Sequence, residues 1–156
     1  MKGAAALLVA AALTLGSAGC GGGGSDGRLS KSQYETKLHT LSRNLTAGLQ
    51  SFAGFRPTDL AAAPTFLTRV ADTLGGVART LKSVKPPKDV QALNDRLVEG
   101  SSRAEAELRA LVGQLQGASL QRTKQLLAQF DPARLAGLQE LQQAASGLAA
   151  KGYTLS

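Results

Sequence analysis

The amino-acid sequence predicts an all-α protein, an antiparallel four-helix-type bundle that follows a signal peptide and a flexible glycine-rich tether. Two observations predict the bundle. Apolar residues recur at steps of three and four over most of the chain after residue 30, which is the period of a helix face and not that of a strand. The segments with this period are roughly 20 to 30 residues long, and their short connections favour antiparallel neighbours.

The first predicted helix has a well-defined start at Ser30. Ser30 and Gln33 form a capping box, in which the hydroxyl accepts from the Gln33 amide and the Gln33 side chain reaches back to Ser30. Leu29 and Tyr34 flank this start in the pattern of a hydrophobic staple. The apolar stripe continues through Leu38, Leu41, Leu45, Leu49 and Phe52, and the helix is expected to end before Gly54 and Pro57.

The second predicted helix has the most regular seam, formed by Leu60, Ala63, Leu67, Val70, Leu74, Val77, Leu81 and Val84. Proline lacks an amide hydrogen and crowds the preceding turn, so the main helix is expected to start near Pro64, with 58–63 as a separate turn. Gly75 and Gly76 weaken its middle. Close helix packing, or simple tolerance, is favoured there over a hinge.

The third predicted helix follows Pro86 and Pro87, and Pro87 is suited to its first position. Its seam is Val90, Leu93, Leu97, Ser101, Ala104, Leu108, Leu111 and Leu115. The opposite face carries acids and arginines, which we interpret as a solvated surface. Glu99 with Arg103, and Glu105 with Arg109, have the spacing of stabilising ion pairs.

The last quarter is either two helices or one kinked helix. After Gly117 the apolar pattern runs through Leu120, Leu126, Leu127 and Phe130, and it resumes as Leu135, Leu138, Leu141, Ala145 and Leu148. Asp131 and Pro132, a good cap and a good first helical residue, separate the two parts. Gly152 and Tyr153 end the pattern. In up-down-up-down order, the start of the first helix and the end of the last helix meet at one end of the bundle.

The first 19 residues have the features of a secretory signal peptide. Lys2 is followed by an apolar run and then by small residues, and the run is too short for an ordinary transmembrane helix. We therefore expect a signal peptide over 1–19, a flexible tether over 20–29 and a bundle domain over 30–156.

Ser17, Ala18, Gly19 and Cys20 resemble the lipobox of bacterial lipoproteins, although the family usually has leucine where this chain has Ser17. The resemblance implies signal cleavage before Cys20 and lipidation of its sulfur, so that Cys20 attaches the protein to membrane lipid. It also implies an extracytoplasmic location, anchored to the bacterial cell membrane. The alternative is an ordinary secreted protein cut near Ala18 or Gly19.

The chain as a whole resembles a group of small helical lipoproteins from high-GC actinobacterial genomes. The resemblance rests on the lipobox, on Leu29 to Lys31 followed by Tyr34, on Pro86-Pro87 and on Gly152-Tyr153. In that group a cysteine often occurs in the first helix and another at the C-terminus. Ser42 and Ser156 stand at the matching positions, so this chain departs from the pattern and lacks the implied disulfide. The resemblance implies a location and a fold but no activity.

The formal net charge is +7. The cationic residues are scattered along the sequence, aromatic residues are few and tryptophan is absent, so we expect no nucleic-acid partner. Scattered charge of this kind is typical of a solvated basic surface. The alternative is attraction to anionic lipid headgroups beside the anchor.

No residue pattern predicts catalysis, a metal site or a cofactor. His39 is the only histidine, and it lies four residues after Glu35 in the spacing of an ordinary surface pair. We therefore expect a non-enzymatic protein. It would act as an interaction or structural module of the cell envelope, with an envelope protein as a possible partner. The alternative is a carrier that binds an apolar or envelope-derived ligand in a cavity lined by Ala63, Ala104 and Ala145.

Overall fold

The computed structural model describes residues 27–53 and 60–155. Five α-helices lie within these residues: α1 Lys31–Ala53, α2 Ala63–Ser83, α3 Gln91–Leu115, α4 Leu120–Gln129 and α5 Ala136–Ala150. Short 3-10 turns precede α2, α3 and α5. The predicted all-α class is confirmed.

Helix α3 is the centre of the bundle, because α2 packs along one side of it and α5 along another. Helix α1 lies on α2, and the short α4 contacts α3 and the 3-10 turn that precedes α2. The four longer helices therefore form the predicted bundle, and α4 is an added element at the end opposite to the start of α1.

The predicted seam of α2 is confirmed. Seven of its eight residues are buried, and Val84 is half-buried at the end of the helix. The turn Leu60–Ala62 is separate from α2, and Pro64 lies in the first turn of the helix, where its missing amide hydrogen removes no hydrogen bond. Helix α2 is continuous through Gly75 and Gly76. The carboxylate end of the Glu105 side chain, from α3, occupies the space beside Gly75 that a Cβ atom would take.

Helix α3 begins later than its sequence predicts. Pro87 is not its first residue; it has an extended backbone and precedes the 3-10 turn Lys88–Val90. The Val90 amide donates to the Pro87 carbonyl at 3.2 Å, which closes this tight turn. The turn places the Asp89 carboxylate within 3.1 Å of the Tyr153 hydroxyl, a contact that no local sequence pattern signals.

The last quarter consists of two helices. Asp131 accepts from the Ala133 amide at 3.0 Å and caps a 3-10 turn between α4 and α5. The prediction that Leu120 belongs to the apolar stripe is wrong, since its side chain is 64% exposed. Leu120 is the first residue after the Ser119 cap, and the inner face of this short helix is formed instead by Thr123 and Leu126.

Glycine makes the contact between α3 and α5 unusually close. A Cβ atom on Gly137 would collide with the backbone of Ala104 and Gly100, and one on Gly100 would lie 2.9 Å from the Gly137 carbonyl oxygen. The two helices therefore touch through their backbones at this point. No local sequence pattern signals either glycine.

The start of α1 and the end of α5 meet at one end of the bundle, as predicted. We call this the tyrosine end and define it as residues 28–34, 84–91 and 151–155. The rings of Tyr34 and Tyr153 are in edge-to-face contact with centroids 6.0 Å apart. Arg28 and Leu29, the last residues of the predicted tether, also bond here, to the carbonyls of Pro86 and Lys85.

The capping patterns at this end form the predicted hydrogen bonds. The Gln33 amide donates to the Ser30 hydroxyl at 3.3 Å, and the Ser30 amide donates to the Gln33 side chain at 2.9 Å. Gly152 has φ +75°, and the Tyr153 amide donates back to the Leu148 carbonyl at 3.0 Å. This is a Schellman motif, which turns the Tyr153 ring back onto Leu148 in the core.

We predict that Gly100→Ala destabilises the protein by about 1–3 kcal/mol, because the added methyl group overpacks a backbone contact between α3 and α5. Gly113→Ala is the matched control in the same helix. No atom lies near its would-be methyl group, so it should stabilise the protein by up to about 1 kcal/mol. Urea unfolding measures both values. Equal effects of the two substitutions would contradict the close contact.

We predict that alkaline pH destabilises the protein through its two tyrosines. Burial raises the pKa of Tyr34, and burial together with the Asp89 hydrogen bond raises the pKa of Tyr153 to about 12. The folded state therefore favours the protonated phenols. The stability that this preference contributes is fully present below the unfolded tyrosine pKa of about 10. It should be lost as the pH rises from 10 through 12.

The tyrosinate absorbance tests this prediction directly, since the chain has two tyrosines and no tryptophan. The native protein should titrate at higher pH than the protein unfolded in urea. Tyr153→Phe serves as the control and should leave only the Tyr34 signal. Titration of both native phenols near pH 10 would show that neither hydroxyl is protected.

Candidate functional site

An apolar cavity of about 250 Å³ lies between α1, α2, α3 and α5. It is partly open to the surface. Its apolar walls are Leu38, Leu41, Leu45, Val77, Leu81, Leu97, Leu141, Ala145 and Leu155, and the polar side chains of Ser42 and Gln142 complete the lining. The cavity lies mainly in the core cluster that also contains Tyr34 and Tyr153, and so in the half of the bundle nearer to the tyrosine end.

The cavity results from two small side chains on facing helices. Leu38, Leu41 and Leu45 form the stripe of α1, but Ser42 lies beside them and does not extend across the space. On α5, Ala145 follows one turn after Leu141 and is equally short. Helix α5 approaches α3 closely at Gly100 and Gly137, one turn before the cavity-lining Leu141.

The chemistry of the lining is that of a hydrocarbon site. Among the residues that the structure describes, no charged side chain lines the cavity, and the two polar ones belong to α1 and α5, with Ser42 half-buried and Gln142 exposed. An engineered apolar cavity of roughly 150 Å³ is sufficient to bind benzene. This cavity is larger. A neutral apolar group that entered it would displace few hydrogen bonds between water and the cavity walls.

Of the three alanines predicted to line a ligand cavity, only Ala145 does so. Ala63 and Ala104 are completely buried, and Ala104 belongs to the core cluster around α2 and α3 at the other end of the bundle. The prediction is therefore wrong for Ala63 and Ala104. Both lie on inner faces that are fully packed. Ser42 was not predicted as a lining residue, because a serine within a leucine stripe has no distinctive pattern.

The residues of the predicted lipobox, Ser17, Ala18, Gly19 and Cys20, lie outside the described residues, as does Ser156. His39 is exposed on α1. Its neighbour Glu35 instead accepts from the Thr154 amide at 3.1 Å, which ties the C-terminal segment to α1. Within 27–53 and 60–155, no three His, Cys, Asp or Glu side chains form a group suited to a metal ion.

The acidic and basic residues of α3 do more than form the predicted solvated face. Arg109 bonds Glu105 as expected and also the Asp72 carboxylate of α2, both at 2.8 Å. Arg103, however, pairs with Glu107 and with Glu140 of α5. Glu107 also accepts from the Gly137 amide at 3.2 Å, so these side chains connect helices. They lie away from the cavity and offer it no catalytic group.

Comparison with known proteins adds no further indication of function. Among the described residues, no helix combines the length and the apolar character needed to cross a membrane. No protein-family model, no curated protein and no solved structure matches this chain.

Proposed function

We propose that this protein is a lipid-anchored, extracytoplasmic envelope protein that carries a small apolar ligand between its helices, and that it is not an enzyme. The observation that supports the carrier function is the apolar cavity between α1 and α5. A core of this size normally leaves few voids larger than a water molecule. A leucine-lined cavity that is partly open to the surface offers space and access to an apolar occupant, which supports the carrier function.

The geometry gives less support to a docking module for an envelope protein. Protein interfaces usually have an apolar centre at the surface. Among the residues that the structure describes, Leu120 is the only large hydrophobic side chain that is strongly exposed. The other large apolar side chains of this part face the core or the cavity, which favours a ligand held between the helices over a partner bound on the outside.

The lining indicates which class of ligand the cavity accepts. Leucine and valine walls suit a neutral hydrocarbon segment, and a charge placed there would lose its hydration without a partner. A single polar end group of the ligand would be satisfied at the edge, where Ser42 and Gln142 offer a hydroxyl and an amide. A short acyl or branched hydrocarbon chain with one polar end has this character.

The anchor in this proposal is Cys20. Its place at the predicted cleavage site and the glycines that follow support it. Because Arg28 and Leu29 bond to the bundle, a tether of about seven flexible links remains after Cys20, and it would reach ~15 Å on average, which would keep the bundle beside the membrane surface. The first described residues belong to the tyrosine end, so in this proposal that end is the one that faces the lipid.

We predict that the protein binds octanol, a neutral hydrocarbon with one hydroxyl, and that Ala145→Leu weakens this binding more than tenfold. The added carbons occupy space that about three ligand methylenes would fill, at about 0.8 kcal/mol each. Both core clusters lie between Leu29 and Leu155, so a chain that starts at Gly21 retains them and can be titrated without detergent. Isothermal titration calorimetry measures the affinity.

Ala149→Leu is the matched control, because Ala149 is exposed on the same helix. It should bind octanol like the original chain. Both variants should keep a cooperative thermal transition, and Ala145→Leu should melt no lower than the original chain because it fills a void. Equal octanol affinity in all three proteins, or no measurable binding by the original chain, would rule out the cavity as a ligand site.

We predict that the full-length protein fractionates with membranes and resists a salt wash, since two acyl chains give stable anchoring that salt does not screen. Cys20→Ala should be released in soluble form or remain as uncleaved precursor. Cys20 is the only cysteine, so intact-mass analysis of the mature protein identifies the modification without ambiguity. A free thiol on Cys20, or a mature chain that starts at Gly19 without lipid, would show an ordinary secreted protein.

A further inference from the structure

Cationic side chains that are scattered in the sequence come together at the tyrosine end of the folded bundle. Six of them lie in or next to its three segments, and we call this set the basic rim: Arg28, Lys31, Lys82, Lys85, Lys88 and Lys151. All five lysines are exposed, and Arg28 is half-buried. Cations that are far apart in the sequence are therefore neighbours in the fold.

The contacts of the backbone and the rings place these residues on one end. The Lys31 ammonium lies 5.0 Å from the centre of the Tyr153 ring. Tyr153 in turn follows Lys151 by two residues in the sequence. The Leu29 amide donates to the Lys85 carbonyl at 2.8 Å, and Arg28 donates to the Pro86 carbonyl at the same distance. Lys88 begins the turn that presents Asp89 to Tyr153.

The carboxylates at this end are committed to the fold. Asp89 accepts from the Tyr153 hydroxyl, and Glu35 accepts from the Thr154 amide. Within the described part of the chain, no ion pair joins Lys31, Lys82, Lys85 or Lys151 to an acid, whereas Arg103 and Arg109 are paired along the middle of the bundle. Asp95, which accepts from the Gln91 side chain at 3.0 Å, also lies next to this end. Among the described residues, three carboxylates therefore stand against six cations, and this end is net positive.

We propose that the basic rim binds the phosphate headgroups of an anionic lipid surface, and that it holds the bundle upright with its tyrosine end against that surface. Five of the six cations are lysines, which act as flexible point charges and suit a diffuse layer of phosphates better than one fixed ligand. Nucleic acid is the less suitable polyanion, because Tyr34 and Tyr153 are buried and offer no ring for base stacking.

This orientation brings the cavity close to the lipid. In that respect the inference rests on the proposed carrier function. Leu38, which lines the cavity, lies seven residues after Lys31 on the same helix, a rise of about 10 Å. Leu155 lines the cavity from the tyrosine end itself. A hydrocarbon chain leaving the membrane would therefore travel only a short distance to enter.

The test uses vesicles and the chain that starts at Gly21, which has no anchor, so that binding reports the rim alone. The chain should bind phosphatidylglycerol vesicles at low ionic strength, fail to bind phosphatidylcholine vesicles, and dissociate as salt is added. Lys85→Gln combined with Lys151→Gln should weaken binding about 30-fold, since each surface lysine near anionic lipid contributes about fivefold.

The matched control is Arg122→Gln combined with Lys124→Gln, which removes the same charge from exposed positions of α4 at the opposite end. It should bind the vesicles almost as well as the original chain. An equal loss in both double variants would mean that net charge, and not the rim, drives the association. Absence of binding to anionic vesicles would overturn the rim proposal. Octanol titration and the mass of the mature N-terminus would still decide the carrier and anchor proposals separately.

Discussion

The hydrogen bond between Tyr34 and Asn94 fixes how α1 sits on the rest of the bundle. The Tyr34 ring is completely buried, and its hydroxyl donates to the Asn94 side chain at 3.0 Å. The Asn94 amide in turn donates to the carbonyl of Leu81, near the end of α2, where helical carbonyls lack partners within the helix. A buried polar group without a partner costs about 1–3 kcal/mol, so a shift of α1 along α2 and α3 would be penalised.

The two ends of the bundle are packed differently, and the difference explains the cavity. Beyond Gly100 and toward α4, small residues let the backbones of α3 and α5 touch, and the leucines and valines of α2 and α3 close the core. Nearer to the tyrosine end, α1 is positioned by Tyr34 and by the C-terminal segment. Ser42 of α1 and Ala145 of α5 are both short side chains, and both line the cavity.

The sequence was sufficient to predict the helices, because steps of three and four, caps and prolines are local signals. The α2 seam, the Ser30 capping box and the Gly152 end of α5 were all readable from residues a few positions apart. The close approach at Gly137 could not be predicted from neighbouring residues, because it depends on which helix lies opposite. For the same reason Ala145 was expected in a cavity but Ser42 was not, and Arg103 was assigned to Glu99 although it contacts Glu140 of another helix.

The basic rim illustrates the same limit in electrostatic terms. Arg28, Lys85 and Lys151 are far apart in the sequence, and a count of charges finds no cluster among them. The antiparallel order of the helices brings the chain to the same end three times, and each of these segments carries cations. Topology therefore concentrates part of the formal net charge of +7 at one end of the bundle.

The hydrogen bond between Glu35 and the Thr154 amide has a consequence for the order of events when the chain is made. It joins residues 119 positions apart, and Tyr153 contacts Tyr34 over the same separation. Helix α1 is therefore synthesised early but gains these ring and amide partners only when the last residues leave the ribosome. Until then its apolar stripe is only partly covered by the rest of the protein.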